Sequence, residues 1–200
     1  MPAFFRKFLR SDTDSRSSGN KSSGKRGAFL SRLSGDRKAS VAVEFALIAP
    51  ALVLMICACL ELCMAFLVSV TLDNATQTVG RGIRTGNITV ANTPTAAKMA
   101  ADICNNMGWL AGSCPSSLTL DVNTYSTFQA AAAAPNLVSN GAWSTVNLPQ
   151  YNVGAGSQIE MVRAYYTWPL FTPLLNPGLV TLGNGNALLT STVIFRNEPF

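Results

Sequence analysis

Between Val41 and Val70 the chain runs for thirty residues in which only Glu44, Glu61 and Ser69 interrupt an otherwise apolar sequence. As a helix this run is ~45 Å long at about 1.5 Å per residue, more than the ~30 Å hydrocarbon core of a bilayer. It predicts a transmembrane helix from near Phe45 to Val70. Everything else must be arranged around that helix. A cleaved secretory signal is the rival reading, but its apolar core would be about 7–15 residues long. Here Phe45–Leu60 is already uncharged throughout, and the apolar character resumes after Glu61, so a retained helix is expected.

Charge orients the helix. Residues 1–39 hold ten Lys or Arg against Asp12, Asp14 and Asp36, whereas the rest of the chain holds five basic against seven acidic residues. The pI near 9.1 therefore describes a basic tail and not a basic protein. Cations collect on the cytoplasmic side of membrane helices, which puts the N-terminus in the cytoplasm and exports the C-terminal part. Nucleic-acid binding through the tail would need only phosphate neutralisation, but the adjoining helix explains the charge better. Residues 11–36, rich in Ser, Gly, Lys and Arg, bury too little apolar surface to fold. Met1–Arg10 reads either as a basic amphipathic turn on a membrane surface or as an unstructured tail.

Beyond the helix, Thr71–Gly86 reads as its continuation, fraying at Gly80, Gly82 and Gly86. Thr95–Met107 carries Ala96, Met99, Ala100 and Ile103 at helical spacing. The Ala run at 130–134 favours a further short helix. Ser117–Tyr125, Gln158–Trp168 and Ser191–Phe195 read as three strands of one antiparallel sheet. Pro169, Pro173 and Pro177 allow only a turn or short helix before the last strand, and Pro50 is expected to kink the long helix. The fold class is α+β: a basic leader over 1–39, the transmembrane helix and its extension over 40–86, and a small exported head over 87–200.

Such a head has a modest core, so a covalent staple would help it. Cys57, Cys59 and Cys63 fall in the membrane helix, where they serve as small apolar side chains. Cys104 and Cys114 fall in the exported head, where an oxidising compartment favours a disulfide between them. The chain has no His, which excludes Ser–His–Asp and Cys–His nucleophilic systems, and two Cys do not complete a zinc site. The exported acids Asp73, Asp102, Asp121, Glu160 and Glu198 form no recognisable catalytic pair, and GNG at 183–185 follows no phosphate-binding pattern. No enzyme activity, cofactor, metal, nucleic acid or small-molecule substrate is expected.

A carboxylate in an apolar helix costs about 2–4 kcal/mol on insertion scales, so Glu44 needs an explanation. Counting from Ser40, Glu44 is the fifth residue and Phe45 the sixth, with the small Ala39 just before and a basic leader upstream. This pattern resembles a type IV prepilin processing site. Together DRKASVAVEFALIAPALVLM, LELCMAFL, DNATQTVGRGIRTG and the terminal FRNEP are similar to the TadE/TadG family of pilus-assembly proteins from tight-adherence (Tad/Flp) systems. The resemblance covers the helix and its sequel, the end of the chain less so, and residues 95–185 hardly at all.

The resemblance implies a minor pilin-like subunit (pseudopilin) of a cell-adhesion pilus. It would be single-pass in the bacterial inner membrane with a periplasmic head, and cut between Ala39 and Ser40 by an aspartyl prepilin peptidase. Its partners would be that peptidase, membrane lipid, other pilin-like Tad subunits and the assembly platform. It also implies that Glu44 meets the freed N-terminal amine of a neighbouring subunit, an opposite charge that offsets the cost of burial. Ala39 stands where such sites prefer Gly, which keeps open an uncleaved, membrane-tethered binding module of the cell envelope. Glu61, about 25 Å further along the helix, has two readings: a residue reaching headgroups at the outer interface, or an inter-subunit assembly contact.

Overall fold

The computed structural model describes residues 37–172 and 177–200. The leader expected over 1–39 lies outside the described residues as far as residue 36, as does the turn at Pro173. The chain separates into two compact units, Met1–Ala51 and Leu52–Phe200. In the first, the described residues form the start of helix α1, Arg37–Arg84, which has Pro50 inside it. Among the described residues one helix is long and apolar enough to cross a membrane, with a mean hydropathy of 2.7 over its most apolar stretch.

The second unit is the α+β head. Helix α2 (Ala96–Asn106) starts at Thr95, whose hydroxyl accepts from the Lys98 N–H and so satisfies one of the free amides of the first turn. A single 3-10 turn over Gly108–Leu110 and a short helix α3, Cys114–Ser117, lead into strand β1, Leu118–Tyr125. Helix α4, Phe128–Ala132, is capped in the same way by Thr127 and precedes a small hairpin of β2, Val138–Ser139, and β3, Ala142–Trp143. Strands β4, Ile159–Trp168, and β5, Ala187–Arg196, complete the chain. The three long strands form one antiparallel sheet in the order β1-β4-β5, as the alternating and β-branched segments predicted.

Register places the core. Leu120 faces Ala164 and Val122 faces Val162 across β1 and β4, while Ala164 faces Ser191 and Val162 faces Val193 across β4 and β5. Side chains alternate along a strand, so these residues share one face of the sheet. That face packs against a stripe of α1 (Ala65, Val68, Leu72, Ala75, Val79 and Ile83) and against Met99 and Ile103 of α2. Steps of three and four residues keep the α1 stripe on one side of the helix. The other face carries Asp121, Met161, Arg163 and Tyr165, with the Trp143 ring edge-on to Tyr165 at 5.6 Å. Strand β4 is therefore buried on both faces.

Helix α1 does not fray where its glycines suggested. It runs intact through Gly80 and Gly82 to Arg84, and the chain turns only at Gly86, which has φ +76°. The internal glycines are close-approach positions. A Cβ on Gly80 would lie 3.2 Å from the Phe195 ring, and one on Gly82 would lie 2.8 Å from Ile88 Cδ1. Gly86 both accepts the left-handed backbone that ends many helices and leaves room for Phe200.

Candidate functional site

The two helix glutamates have opposite surroundings. Glu44 is exposed on α1 beside Phe45, itself 70% exposed, and no hydrogen bond or ion pair reaches its carboxylate among the described residues. Ala39 and Ser40 lie in the first helical turn, which begins at Arg37.

Glu61 is 4% exposed and is held by its own chain. The Thr172 N–H lies 2.9 Å from Oε2 and 3.2 Å from Oε1, and the Phe171 N–H and the Thr172 hydroxyl donate to the same carboxylate. An ionised carboxylate that accepts several N–H and O–H bonds recovers much of the hydration it loses on burial. The donors come from the connection after β4, 110 residues away in sequence. No sequence spacing could announce that partner. The two readings offered by the sequence, a residue reaching headgroups and an inter-subunit contact, both give way to this contact within the chain.

A disulfide joins Cys104 in α2 to Cys114 at the start of α3, with 5.5 Å between their Cα atoms. Both residues belong to the core against α1, so the staple fixes the cover over the helix stripe. Cys57, Cys59 and Cys63 are free and exposed.

The end of the chain returns to the end of α1. Phe195 packs at Gly80, the Glu198 N–H donates to the Arg84 carbonyl at 2.9 Å, and the Arg84 guanidinium meets Glu198 at 3.3 Å on the surface. Between them Asn197 turns inward. Its Nδ2 donates to Glu160 Oε2 at 3.1 Å and to the Ala155 carbonyl at 3.0 Å. Glu160 is fully buried, and burial pushes its carboxyl above the ordinary carboxylate range, against the Asn197 and Gly154 donors that favour its charge. Its Oε1 and Asn197 Oδ1 have no hydrogen-bond partner among the described residues. A protonated carboxyl would bring a donor to that place. Nearby, the Tyr151 hydroxyl donates to the Thr93 carbonyl at 2.6 Å. Burial first, then the charges of Glu160 and Asp102, push its pKa up to about 12.

On the opposite face of the sheet Arg163 and Asp121 make a buried ion pair, with Nη2 2.6 Å and Nε 2.9 Å from Oδ2. Arg163 Nη1 also donates to the Pro135 carbonyl, and Asp121 Oδ1 accepts from the Gln150 N–H and from Asn123. Every arm of the pair is occupied in tying loops to the sheet, so it is a structural clamp and offers no free acid or base. Two open clefts, about 420 Å³ beside Gly80, Arg81 and Phe195 and about 230 Å³ beside Asp121 and Arg163, bring together no acid–base pair beyond this clamp. Among the described residues no three His, Cys, Asp or Glu side chains gather as a metal site requires.

The stretch containing Ala39, Ser40, Glu44, Phe45 and Glu61 can also be compared with known proteins. The family model described as TadE-like protein matches residues 39–81. Over that stretch the chain is similar to TadE-like proteins. No curated protein and no solved structure matches the chain. The matched segment begins near the helix start and ends just after Gly80, which receives Phe195, so it contains both exposed and head-packed parts of α1. The head's sheet and disulfide lie outside it.

Proposed function

We propose that the protein is a membrane-anchored, pilin-like structural component for assembly of a Tad/Flp-type adhesion pilus, without enzymatic activity of its own. Its helix sits in the bacterial inner membrane with the N-terminus cytoplasmic and the head periplasmic, and prepilin peptidase cuts the leader between Ala39 and Ser40. The observation that carries this reading is the TadE-like match from residue 39, combined with an exposed Glu44 whose carboxylate meets no hydrogen-bond or ion-pair partner among the described residues. Glu61 shows how this chain satisfies an acid internally. Glu44 is left for a partner outside, and the amine of a neighbouring processed subunit supplies the opposite charge. Other pilin-like subunits and the assembly platform are the remaining partners.

One observation favours the second reading, an uncleaved membrane-tethered binding module. The Ala39–Ser40 bond lies inside a helix that starts at Arg37, and the first turn must unwind before a peptidase can hold it extended. A first turn lacks a full set of backbone bonds and frays readily, so this is a small barrier. Intact mass of the membrane-extracted protein separates the readings. Processing gives a chain beginning at Ser40, and Ala39→Leu blocks it. A chain retaining residues 1–39 in cells with active peptidase would contradict the proposal.

A further inference from the structure

Counting along α1 places its membrane exit. Arg37 and Lys38 precede the apolar run and belong at the cytoplasmic interface. From Val41, about twenty helical residues cover the ~30 Å hydrocarbon core, which brings the exit to Leu60. Burial gives the same answer independently. No residue from Val41 to Leu60 is buried by the protein, and Glu61 is the first buried one. The exit thus falls at Leu60 and not at the Val70 expected from the sequence, since Glu61, Ala65 and Val68 are buried by the head. The head thus begins where the bilayer should end.

Glu61 carries part of the head to that level. Because its carboxylate takes the Phe171 and Thr172 N–H groups, these residues are held at the depth of Glu61. The Phe171 side chain is not packed on the head, being 77% exposed. Leu60 and Leu62, the exposed apolar neighbours of Glu61 on α1, continue the lipid-facing surface toward it. An aromatic side chain at headgroup level, next to a membrane helix, is where aromatic residues are favoured.

We propose that Phe171 and Thr172, just after β4, seat the head on the outer leaflet, with the Phe171 ring inserted at the boundary of headgroups and acyl chains and Glu61 as the tether that holds it there. The occupant is lipid, because the exposed ring adjoins the exit of the span. The tether also explains why a carboxylate is tolerated at this depth: backbone amides replace the water it would otherwise reach for. The inference rests on α1 spanning the bilayer as proposed above, and the test separates the two.

The full chain carrying Cys57→Ala, Cys59→Ala and Cys63→Ala, with its disulfide intact, is given one labelling site by Phe171→Cys, Leu54→Cys or Val146→Cys. Each site takes an environment-sensitive fluorophore, and the proteins are reconstituted in phosphatidylethanolamine–phosphatidylglycerol vesicles. The Phe171→Cys change leaves the backbone donor to Glu61 in place. The probe at 171 is expected to be quenched by lipids bearing a shallow nitroxide, about 5–10 Å into the interface. It should also be severalfold less accessible to aqueous iodide than the probe at 146. The probe at 54 should respond to deep lipid quenchers only. In a Glu61→Ala background that retains a cooperative melt, the shielding at 171 is lost and that at 54 is kept. Iodide access at 171 equal to that at 146, with 54 still shielded, overturns the docking and leaves the span standing. Loss of shielding at both sites overturns both. Shielding at 171 that appears only on adding other pilin-like subunits would identify a protein occupant and also overturn the proposal.

Discussion

Val41–Leu60 and Glu61–Arg84 are two lengths of one helix with similar apolar character at their junction, yet they face different solvents. The first has no buried residue, with Leu47 74% exposed, an apolarity consistent with a membrane span. The second buries a residue every three or four positions, from Glu61 through Val68, Leu72 and Val79 to Ile83, against the sheet and α2. The difference teaches that the helix is not a stalk with a head attached. Its outer half is the central piece of the head's core.

Substitutions that act on one half and not the other break or sharpen this comparison. The largest effect is expected from Leu72→Ala, which empties a fully buried position on the packed half. It should cost the head about 2–5 kcal/mol, read as a lower thermal midpoint in detergent. Leu54→Ala, on the uncovered half, should leave that midpoint nearly unchanged. Equal losses from both would erase the distinction. Next comes the cover. Replacing Cys104 and Cys114 together by Ser removes the staple between α2 and α3 and should cost about 2–3 kcal/mol; a melt unchanged under non-reducing conditions would mean that the cover needs no staple. Gly80→Leu tests the contact with β5 by forcing a side chain into the Phe195 ring. It should cost about 1–3 kcal/mol, whereas a leucine at Ala51, exposed on the uncovered half, should cost the head nothing.

The smallest effect is a pH dependence. Glu160 has a folded pKa raised by burial, so its native state binds the proton more tightly than the unfolded chain does. Its contribution is fully present below the ordinary carboxylate pKa and is lost as pH rises through the raised folded value. Melts of the wild type should therefore weaken across that window. Glu160→Gln, which keeps the shape and cannot ionise, should flatten the profile and be no less stable at neutral pH. A slope that survives in Glu160→Gln would assign the titration to another group.

The sheet was legible because its signals are local. Leu118, Leu120 and Val122 alternate, and the strand over Ile159–Trp168 is dense in aromatic and β-branched residues, so each strand declared itself without reference to its partner. The Cys104–Cys114 pair was legible for a similar reason, its two members being ten residues apart and both outside the long apolar helix. The glycines were not. A glycine that ends a helix and one that admits a neighbour's ring are identical in sequence, and Phe195, which distinguishes them at Gly80, lies 115 residues further along the chain. Glu61 was not legible: read as reaching headgroups or another subunit, it is held instead by Phe171 and Thr172 of its own chain, 110 and 111 residues away. The β2–β3 hairpin was missed although its signal was present. Asn140 and Gly141 both have positive φ, as an Asn-Gly hairpin turn requires. Gly80 and Arg84, and Phe195 and Glu198 of the terminal FRNEP, read separately along the sequence, meet at the end of α1.

The central claim, that the outer half of the helix belongs to the head, is tested most directly by two soluble fragments, residues 61–200 and residues 87–200, compared by thermal and denaturant unfolding under oxidising conditions. The account predicts a cooperative transition and a fixed aromatic near-UV signal for 61–200. It predicts neither for 87–200, which lacks Val68, Leu72, Val79 and Ile83. A fragment 87–200 that unfolds cooperatively, with the same near-UV signal as 61–200, would contradict it.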